Sequence, residues 1–202
     1  MTARPRDELD AATSALVLVD FQRGVVDGLG AGVPLGPHPA AEAVANARRV
    51  AVALRRRGGL VVLVRGSMGR GGVPFPAPRA DVELPPPGGA PAEWTEVVPE
   101  LADLGSHVVV KHQWGSFYGT ELDPLLRRRG VRTVLFGGIA TNLGVESAAR
   151  EAYDRGYEQV LVRDAATAFD AGAHEDAIAR VFSLIGRVRT ADEVIDALDP
   201  PA

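Results

Sequence analysis

Lys111 is the only lysine among the 22 lysine and arginine residues of the chain, and it directly follows the apolar run HVVV at 107–110. Asp20 takes the same position after the apolar run ALVLV at 15–19. Lysine, unlike arginine, can lose its proton when it is desolvated, and it presents a compact positive charge. A carboxylate paired with such an amine can take part in proton transfer and can stabilise developing charge. Asp20 and Lys111 are therefore candidate catalytic residues if the fold brings them together.

Short apolar runs rich in β-branched residues alternate with amphipathic segments along the chain, which is the pattern of an α/β fold. Continuous apolarity is typical of strands that are buried on both faces of a parallel sheet. The sequence predicts a three-layer α/β/α sandwich with a mostly parallel, Rossmann-like sheet of about six strands. The predicted strands are 15–19, 60–64, 107–110, 133–137, 159–162 and 187–189.

Ligands of open parallel sheets bind outside the carboxyl ends of the strands. Gln22 lies two residues after Asp20 and could orient substrate or water at that edge. Arg65 follows a predicted strand and could bind a substrate carboxylate through two hydrogen bonds, as could Arg70 or Arg79, although loop arginines are more often solvated. The residues at or just beyond the carboxyl ends of predicted strands are Asp20, Arg65, Lys111, Gly138 and Asp164.

The stretch GGIATNLGVES at 137–147 combines a strand end, a tight turn and the start of a helix. Backbone N–H groups at such a helix start can bind an anion or a developing oxyanion. A nucleophile would be well placed there, but the position is occupied by Gly144. No histidine is recognisably placed to activate the hydroxyl of Thr141 or Ser147, so capping or packing is the favoured role of both.

The composition excludes several classes of protein and site. Cysteine is absent, which excludes disulfides, thiolate metal sites and a cysteine nucleophile, and the four histidines show no metal-ligand spacing. We therefore expect neither a metal nor another cofactor. A net charge of −4 does not suggest nucleic-acid binding, and no apolar segment approaches the roughly 20 residues of a membrane span. The first residues also lack a signal-peptide pattern. We expect a cytoplasmic protein that acts on a small molecule.

The chain is predicted to form one domain over 14–202 after a flexible polar leader over 1–13. A Pro/Gly-rich segment at 66–92 interrupts the strand–helix alternation. A long irregular segment inside a compact domain is typical of a lid, a binding loop or an oligomer arm, and its composition also fits disorder.

Three ordered motifs resemble the isochorismatase-like hydrolases: LVLVDFQRG around Asp20, VVKHQWGSFYGTEL around Lys111, and GGIATNLGVESAAREAYDRGY at 137–157. The resemblance runs from about residue 14 to the C-terminus and implies an Asp–Lys–Cys triad, of which Asp20 and Lys111 match the first two members. The third falls on Gly144, so hydrolysis through a thiol is excluded. The resemblance also implies a cis peptide bond between Ile139 and Ala140, and a homodimer or homotetramer.

The family's true isochorismatases also lack that cysteine, and they cleave a vinyl ether by protonating its terminal carbon from the aspartic acid. The resemblance therefore implies a cofactor-independent hydrolase of a small polar metabolite, with Asp20 as general acid and Lys111 as its electrostatic partner. An apolar environment would raise the pKa of Asp20 and make it a useful acid. The residues expected to line the site are Phe21, Trp114, Phe117, Ile139, Ala140 and Thr141, and the aromatic ones could equally belong to the core or a subunit contact.

Two other functions are open at this level. The same pair could serve an isomerase or cyclase of secondary metabolism, in which case the mass of the substrate would not change. The chain could also be a binding protein that lost catalysis together with the cysteine.

Overall fold

The computed structural model of the chain describes residues 8–28, 35–67, 81 and 92–198. Within these ranges six strands form one parallel sheet in the order β3-β2-β1-β4-β5-β6. This confirms the predicted α/β fold with its parallel, six-stranded sheet. The strands are β1 (Ser14–Val19), β2 (Leu60–Gly66), β3 (His107–Lys111), β4 (Thr133–Ile139), β5 (Glu158–Thr167) and β6 (Arg187–Arg189).

Helices connect the strands and cover both faces of the sheet. A π-helical turn at Ile178–Phe182 separates the two short helices Ala171–Ala177 and Ser183–Ile185. A second π-helical turn, Thr141–Val145, lies directly before α4, and such turns are frequent at functional sites. The helices are α1 (Ala40–Arg56), α2 (Pro99–Ala102), α3 (Leu122–Arg128), α4 (Glu146–Asp154), α5 (Ala171–Ala177), α6 (Ser183–Ile185) and α7 (Ala191–Leu198).

The sheet separates two apolar cores, which gives the three layers. Leu16 and Leu18 of β1 pack into the core that contains buried residues of α1 and α7. Ala15, Val17 and Val19 pack on the opposite face, against buried residues of α3 and α4. Side chains alternate between the faces of a strand, and every residue of β1 is buried, so its sequence shows a continuous apolar run.

The strand order creates a switch point between β1 and β4. The chain proceeds from β1 outward through β2 to β3, whereas it proceeds from β4 in the opposite direction through β5 to β6. Connections on either side of such a point leave a crevice at the carboxyl ends of the two central strands. The residues that follow β1 and β4 therefore meet at the place where an α/β sheet binds its ligand.

The predicted flexible leader is wrong for residues 8–13. Leu9 and Ala11 belong to a hydrophobic core, and the N–H of Leu9 donates to the carbonyl of Ala197 at 3.1 Å. A short 3₁₀ turn, Ala11–Thr13, follows, and the side chain of Asp10 caps it. The prediction overlooked Leu9 because a single apolar residue among polar ones produces no periodic pattern.

The Pro/Gly-rich segment predicted at 66–92 lies mostly outside the described residues, together with Arg70 and Arg79. Its first residue, Gly66, is the last residue of β2. In the part of the chain that the structure describes, no helix is long and apolar enough to cross a membrane.

Candidate active site

Asp20 directly follows β1 and has a backbone φ of +56°, in the left-handed region. Aspartate tolerates this region better than most residues, and a hydrogen bond from its N–H to the carbonyl of Val64, 2.8 Å long, holds the backbone in place. Residues kept in sparsely populated conformations cluster at functional sites. The conformation turns the chain sharply at the mouth of the crevice.

Lys111 is the last residue of β3, and its side chain is only 2% exposed. Its Nζ lies 2.7 Å from Asp20 Oδ2 and donates a second hydrogen bond to the carbonyl oxygen of Trp114 at 2.8 Å. Strand β2 lies between β3 and β1 in the sheet, so a long flexible side chain is needed to reach Asp20. The two side chains meet as the sequence pattern predicted.

The carboxyl group of Asp20 is held in a largely dry environment, with 18% of its side chain exposed. Burial raises the pKa of Asp20 above its usual range, because the charged form is poorly solvated, and the positive charge and hydrogen bond of Lys111 oppose this effect without cancelling it. Oδ2 accepts from Lys111, whereas Oδ1 is buried without a hydrogen-bond partner among the described residues. Lys111 therefore anchors Oδ2, whereas Oδ1 is enclosed beside the backbone of Gly66, which also lowers the pKa of Asp20 without cancelling the effect of burial.

Gly144 lies in the π-helical turn, directly against this ion pair. A Cβ atom built on it would lie 3.0 Å from Asp20 Oδ2 and 3.1 Å from Lys111 Nζ, which is closer than ordinary van der Waals contact. A side chain at residue 144 would therefore require the ion pair to shift by a few tenths of an ångström. Glycine at this position allows the carboxylate and the amine to approach each other.

The turn that carries Gly144 is tightly packed. A side chain on Gly138 would overlap the carbonyl oxygen of Val19, so only glycine at this position allows β4 to lie this close to β1. The peptide bond between Ile139 and Ala140 is cis, as the family resemblance implied. Ile139, Ala140 and Thr141 are all buried, with at most 4% exposure.

Gln22 is buried, and its amide binds the backbone at the end of β2. Its Oε1 accepts from the N–H of Gly66 at 2.7 Å, and its Nε2 donates to the carbonyl of the same residue at 3.3 Å. These contacts fix the end of β2 beside Asp20. Contact of Gln22 with a substrate stays a prediction. Phe21, expected to line the site, is 2% exposed and packs into the core shared with α1.

The other predicted residues lie in different environments. Arg65 is half-buried and makes no side-chain hydrogen bond or ion pair within the described ranges. The indole of Trp114 is 54% exposed, and this residue reaches the site through its backbone carbonyl. Phe117 is 3% exposed, packs into the core and lies 6.1 Å from the ring of Tyr157. The apolar environment of Asp20 is thus not provided by the indole of Trp114.

Sequence reasoning missed two residues that contact this region. His174 is fully buried, and its Nδ1 lies 2.8 Å from Thr141 Oγ1. Glu151 accepts hydrogen bonds from the backbone N–H groups of Phe117 and Tyr118. No sequence signal reveals a hydrogen bond between residues that lie more than 30 positions apart, so neither contact could be predicted. No group of three His, Asp or Glu side chains in the described ranges is arranged to hold a metal ion.

Comparison with known proteins places this site in a family. The Isochorismatase domain model matches residues 14–193. The structure of an isochorismatase family protein from Burkholderia thailandensis is 40% identical, with a TM-score of 0.85, over 95% of this chain and 98% of that chain. The Uncharacterized isochorismatase family protein YecD of Escherichia coli O157:H7 is 39% identical over 193 residues, 95% of this chain and 99% of YecD. The chain therefore belongs to the isochorismatase family, whose members are hydrolases.

A more distant relative carries the name of an amide-cleaving enzyme. The Ureidoacrylate amidohydrolase RutB of Variovorax paradoxus is 31% identical over 224 residues, which cover 99% of this chain and 87% of RutB. The family that the sequence motifs indicated is confirmed.

Proposed function

We propose that the protein is a cofactor-independent hydrolase of a small polar metabolite, in which Asp20 acts as general acid and Lys111 as its electrostatic partner. One observation supports this most directly: a carboxyl group with a raised pKa lies 2.7 Å from a buried amine, with Gly144 against both. A raised pKa keeps a larger fraction of the carboxyl group protonated near neutral pH, which an acid catalyst requires.

Hydrolysis through a covalent thioester is not open to this chain, which has no cysteine. At position 144, where the resemblance to the family places a thiol, the ion pair fills the adjacent space. The reaction we propose therefore begins with proton transfer and not with nucleophilic attack by the protein. An acid-labile bond, such as that of a vinyl ether, is the matching substrate chemistry.

The proton is held by the carboxyl group of Asp20, whose Oδ2 also accepts a hydrogen bond from Lys111. In a vinyl ether the π electrons form a bond to this proton at the terminal carbon, which leaves an oxocarbenium ion and the Asp20 carboxylate. Water then adds to the cationic carbon and returns a proton to the carboxylate. The resulting hemiketal breaks its bond to the leaving oxygen, which takes up the hydroxyl proton, and yields a ketone and an alcohol.

Lys111 fits the role of electrostatic partner in this sequence. When Asp20 has given up its proton, the carboxylate is in a dry environment and would be unstable without a neighbouring cation. The ammonium group at 2.7 Å stabilises that carboxylate, and it is itself fixed by the carbonyl of Trp114. A guanidinium group is planar and larger than an ammonium group, so arginine would fit poorly between the Asp20 carboxylate, the Trp114 carbonyl and Gly144.

Binding of the substrate involves further proposals. Arg65, half-buried and unpaired in the described ranges, is the proposed partner of a substrate carboxylate. The backbone N–H groups at the start of the turn, at Thr141, are proposed to bind a polar oxygen of the substrate. We also propose a homodimer or homotetramer in the cytoplasm.

The test is an assay of the purified protein with isochorismate, in which pyruvate is the expected product of vinyl-ether cleavage. Asp20→Asn should abolish pyruvate formation, and Asp27→Asn, which changes an exposed carboxylate in the same segment, should not. Product mass identifies the reaction class: a gain of one water indicates hydrolysis, and an unchanged mass indicates an isomerase or cyclase. Product formation by Asp20→Asn at the wild-type rate would contradict the proposal.

A further inference from the structure

Residues 114–118 form a segment that follows β3 and lies against helix α4. Glu151 of α4 accepts two backbone hydrogen bonds from this segment, one from the N–H of Phe117 to Oε2 at 2.9 Å and one from the N–H of Tyr118 to Oε1 at 3.2 Å. Both carboxylate oxygens are therefore used, one for each N–H. Hydrogen bonds from backbone N–H groups to a carboxylate are charge-assisted and stronger than neutral ones.

The segment packs closely on this carboxylate at a third residue. A Cβ atom on Gly115 would lie 2.5 Å from Glu151 Oε2, so a larger residue at position 115 would force the carboxylate and the backbone apart. In the described ranges Glu151 makes no ion pair, and its other hydrogen bond uses the backbone carbonyl, which accepts from Arg155. The carboxylate thus has no described partner except the segment.

The same segment holds the amine of the active site. Lys111 Nζ donates to the carbonyl oxygen of Trp114 at 2.8 Å, three residues before the first N–H that Glu151 binds. Because Lys111 is 2% exposed, water cannot replace that acceptor freely, and a displaced carbonyl would leave a buried ammonium hydrogen unpaired. The position of the Trp114 carbonyl therefore decides where Nζ lies.

Helix α4 also continues directly from the π-helical turn that contains Gly144. Helix α4 is therefore connected to the ion pair in two ways. The turn that precedes it places Gly144 against the pair, and its residue Glu151 binds the segment that holds the Lys111 amine. This contact connects residues 34 positions apart in sequence, and it gives the half-buried carboxylate of Glu151 a role that packing alone does not explain.

We propose that Glu151 is a positioning residue: by binding the N–H groups of Phe117 and Tyr118 it places the Trp114 carbonyl, and through it the Lys111 amine, against Asp20. The effect of Glu151 on catalysis rests on the proposed function, whereas its effect on the position of the Lys111 amine does not depend on that function. Glu151 does not touch the reacting atoms, and it acts through the segment 114–118.

The test uses the single lysine of the chain. Protein labelled with ¹⁵N-lysine gives one side-chain Nζ resonance, and a buried ammonium bound to two acceptors exchanges its protons slowly with water. In Glu151→Gln, one oxygen is replaced by an NH₂ group that faces an N–H donor, so the segment should detach and Nζ proton exchange should accelerate at least about tenfold. Asp154→Asn, an exposed carboxylate on the same helix, is the matched control and should keep the wild-type rate.

A second variant guards against misfolding of the first. Gly115→Ala keeps the Glu151 carboxylate in the chain but forces it and the segment apart, so it should accelerate Nζ exchange in the same way. Wild-type exchange in folded Glu151→Gln or in folded Gly115→Ala would overturn the proposal. No substrate is needed, so failure of the isochorismate assay leaves this result readable. If isochorismate is cleaved, Glu151→Gln should lower kcat with little change in KM.

Discussion

Two buried polar pairs contact the turn at 139–145, and burial affects them in opposite ways. At the first pair, burial raises the pKa of Asp20, whose side chain retains 18% exposure, against the opposing charge of Lys111. At the second pair, burial lowers the pKa of His174 to about 4, so the imidazole beside Thr141 is neutral at neutral pH. Burial disfavours the charged form of both groups. It makes the carboxyl group of Asp20 a better proton donor near neutral pH, and it makes the imidazole of His174 a neutral group.

The two pairs also differ in access. Each contains an atom without a hydrogen-bond partner among the described residues, Oδ1 of Asp20 and Nε2 of His174. His174 is fully buried, whereas Asp20, directly after β1, retains 18% exposure of its side chain. We therefore expect substitutions at the first pair to affect activity and substitutions at the second pair to affect stability.

The largest expected effect is that of Asp20→Asn. An amide cannot donate the proton, so we expect a loss of about 10³-fold in kcat, within the range that general acid catalysis provides. Initial rates of product formation measure it, and circular dichroism checks the fold. His174→Gln is the comparison and should stay within about tenfold of the wild-type rate. Equal losses in both variants would remove the distinction between the pairs.

Lys111→Met should reduce kcat by about 10²-fold, because the Asp20 carboxylate loses its cation. The pH profile should also change. Lys111 holds the pKa of Asp20 lower than burial alone would set it, so removing the charge raises that pKa further. A general acid works below its pKa, and the residual activity should therefore persist to higher pH than in the wild type. If the activity of Lys111→Met instead declined at a lower pH than that of the wild type, the expected increase in the pKa of Asp20 would be contradicted.

Gly144→Ala should cost about tenfold in activity. The added Cβ would lie 3.0 Å from Asp20 Oδ2 and 3.1 Å from Lys111 Nζ, so it should push the pair apart without unfolding the chain, because the end of a lysine side chain can move. Kinetics and the thermal midpoint measured together separate the two effects. Unchanged kcat would mean that the closeness of the pair is not needed for the reaction.

His174→Gln should have the smallest effect on activity, but it should change how stability depends on pH. In the native protein the pKa of His174 is about 4, whereas its ordinary value is 6.5. As pH falls from about 6.5 to about 4, His174 becomes protonated in the unfolded chain but stays largely neutral in the native protein. The free energy of unfolding of the wild type should therefore decrease by an amount on the order of 2–3 kcal/mol. Denaturant unfolding across this range should show that additional loss in the wild type and not in the variant. Parallel curves would contradict the assignment.

The sequence was sufficient to predict the fold and the meeting of Asp20 and Lys111. Strands buried on both faces appear as continuous apolar runs, and residues that follow such strands gather at one edge of a parallel sheet. The absence of cysteine and the motif around Gly144 were equally visible. These features depend on local patterns and on chain connectivity, which a single sequence contains.

Contacts between side chains and distant backbone could not be predicted. The amide of Gln22 binds Gly66, and the carboxylate of Glu151 binds the segment after β3, yet both residues look like ordinary polar residues in the sequence. Leu9 was assigned to a flexible leader because its burial depends on the distant α7. Trp114 was singled out for its ring, while the structure uses its backbone carbonyl.

The most direct measurement of the central claim is the pKa of Asp20. In protein labelled at its single lysine, the Nζ resonance of Lys111 follows the charge of the carboxyl group 2.7 Å away. A titration from acid to neutral pH should show an inflection clearly above the ordinary aspartate value of 3.8, and Asp20→Asn should lack it. An inflection at or below 3.8 in the wild type would mean that Asp20 is an ordinary carboxylate at neutral pH and cannot serve as the acid.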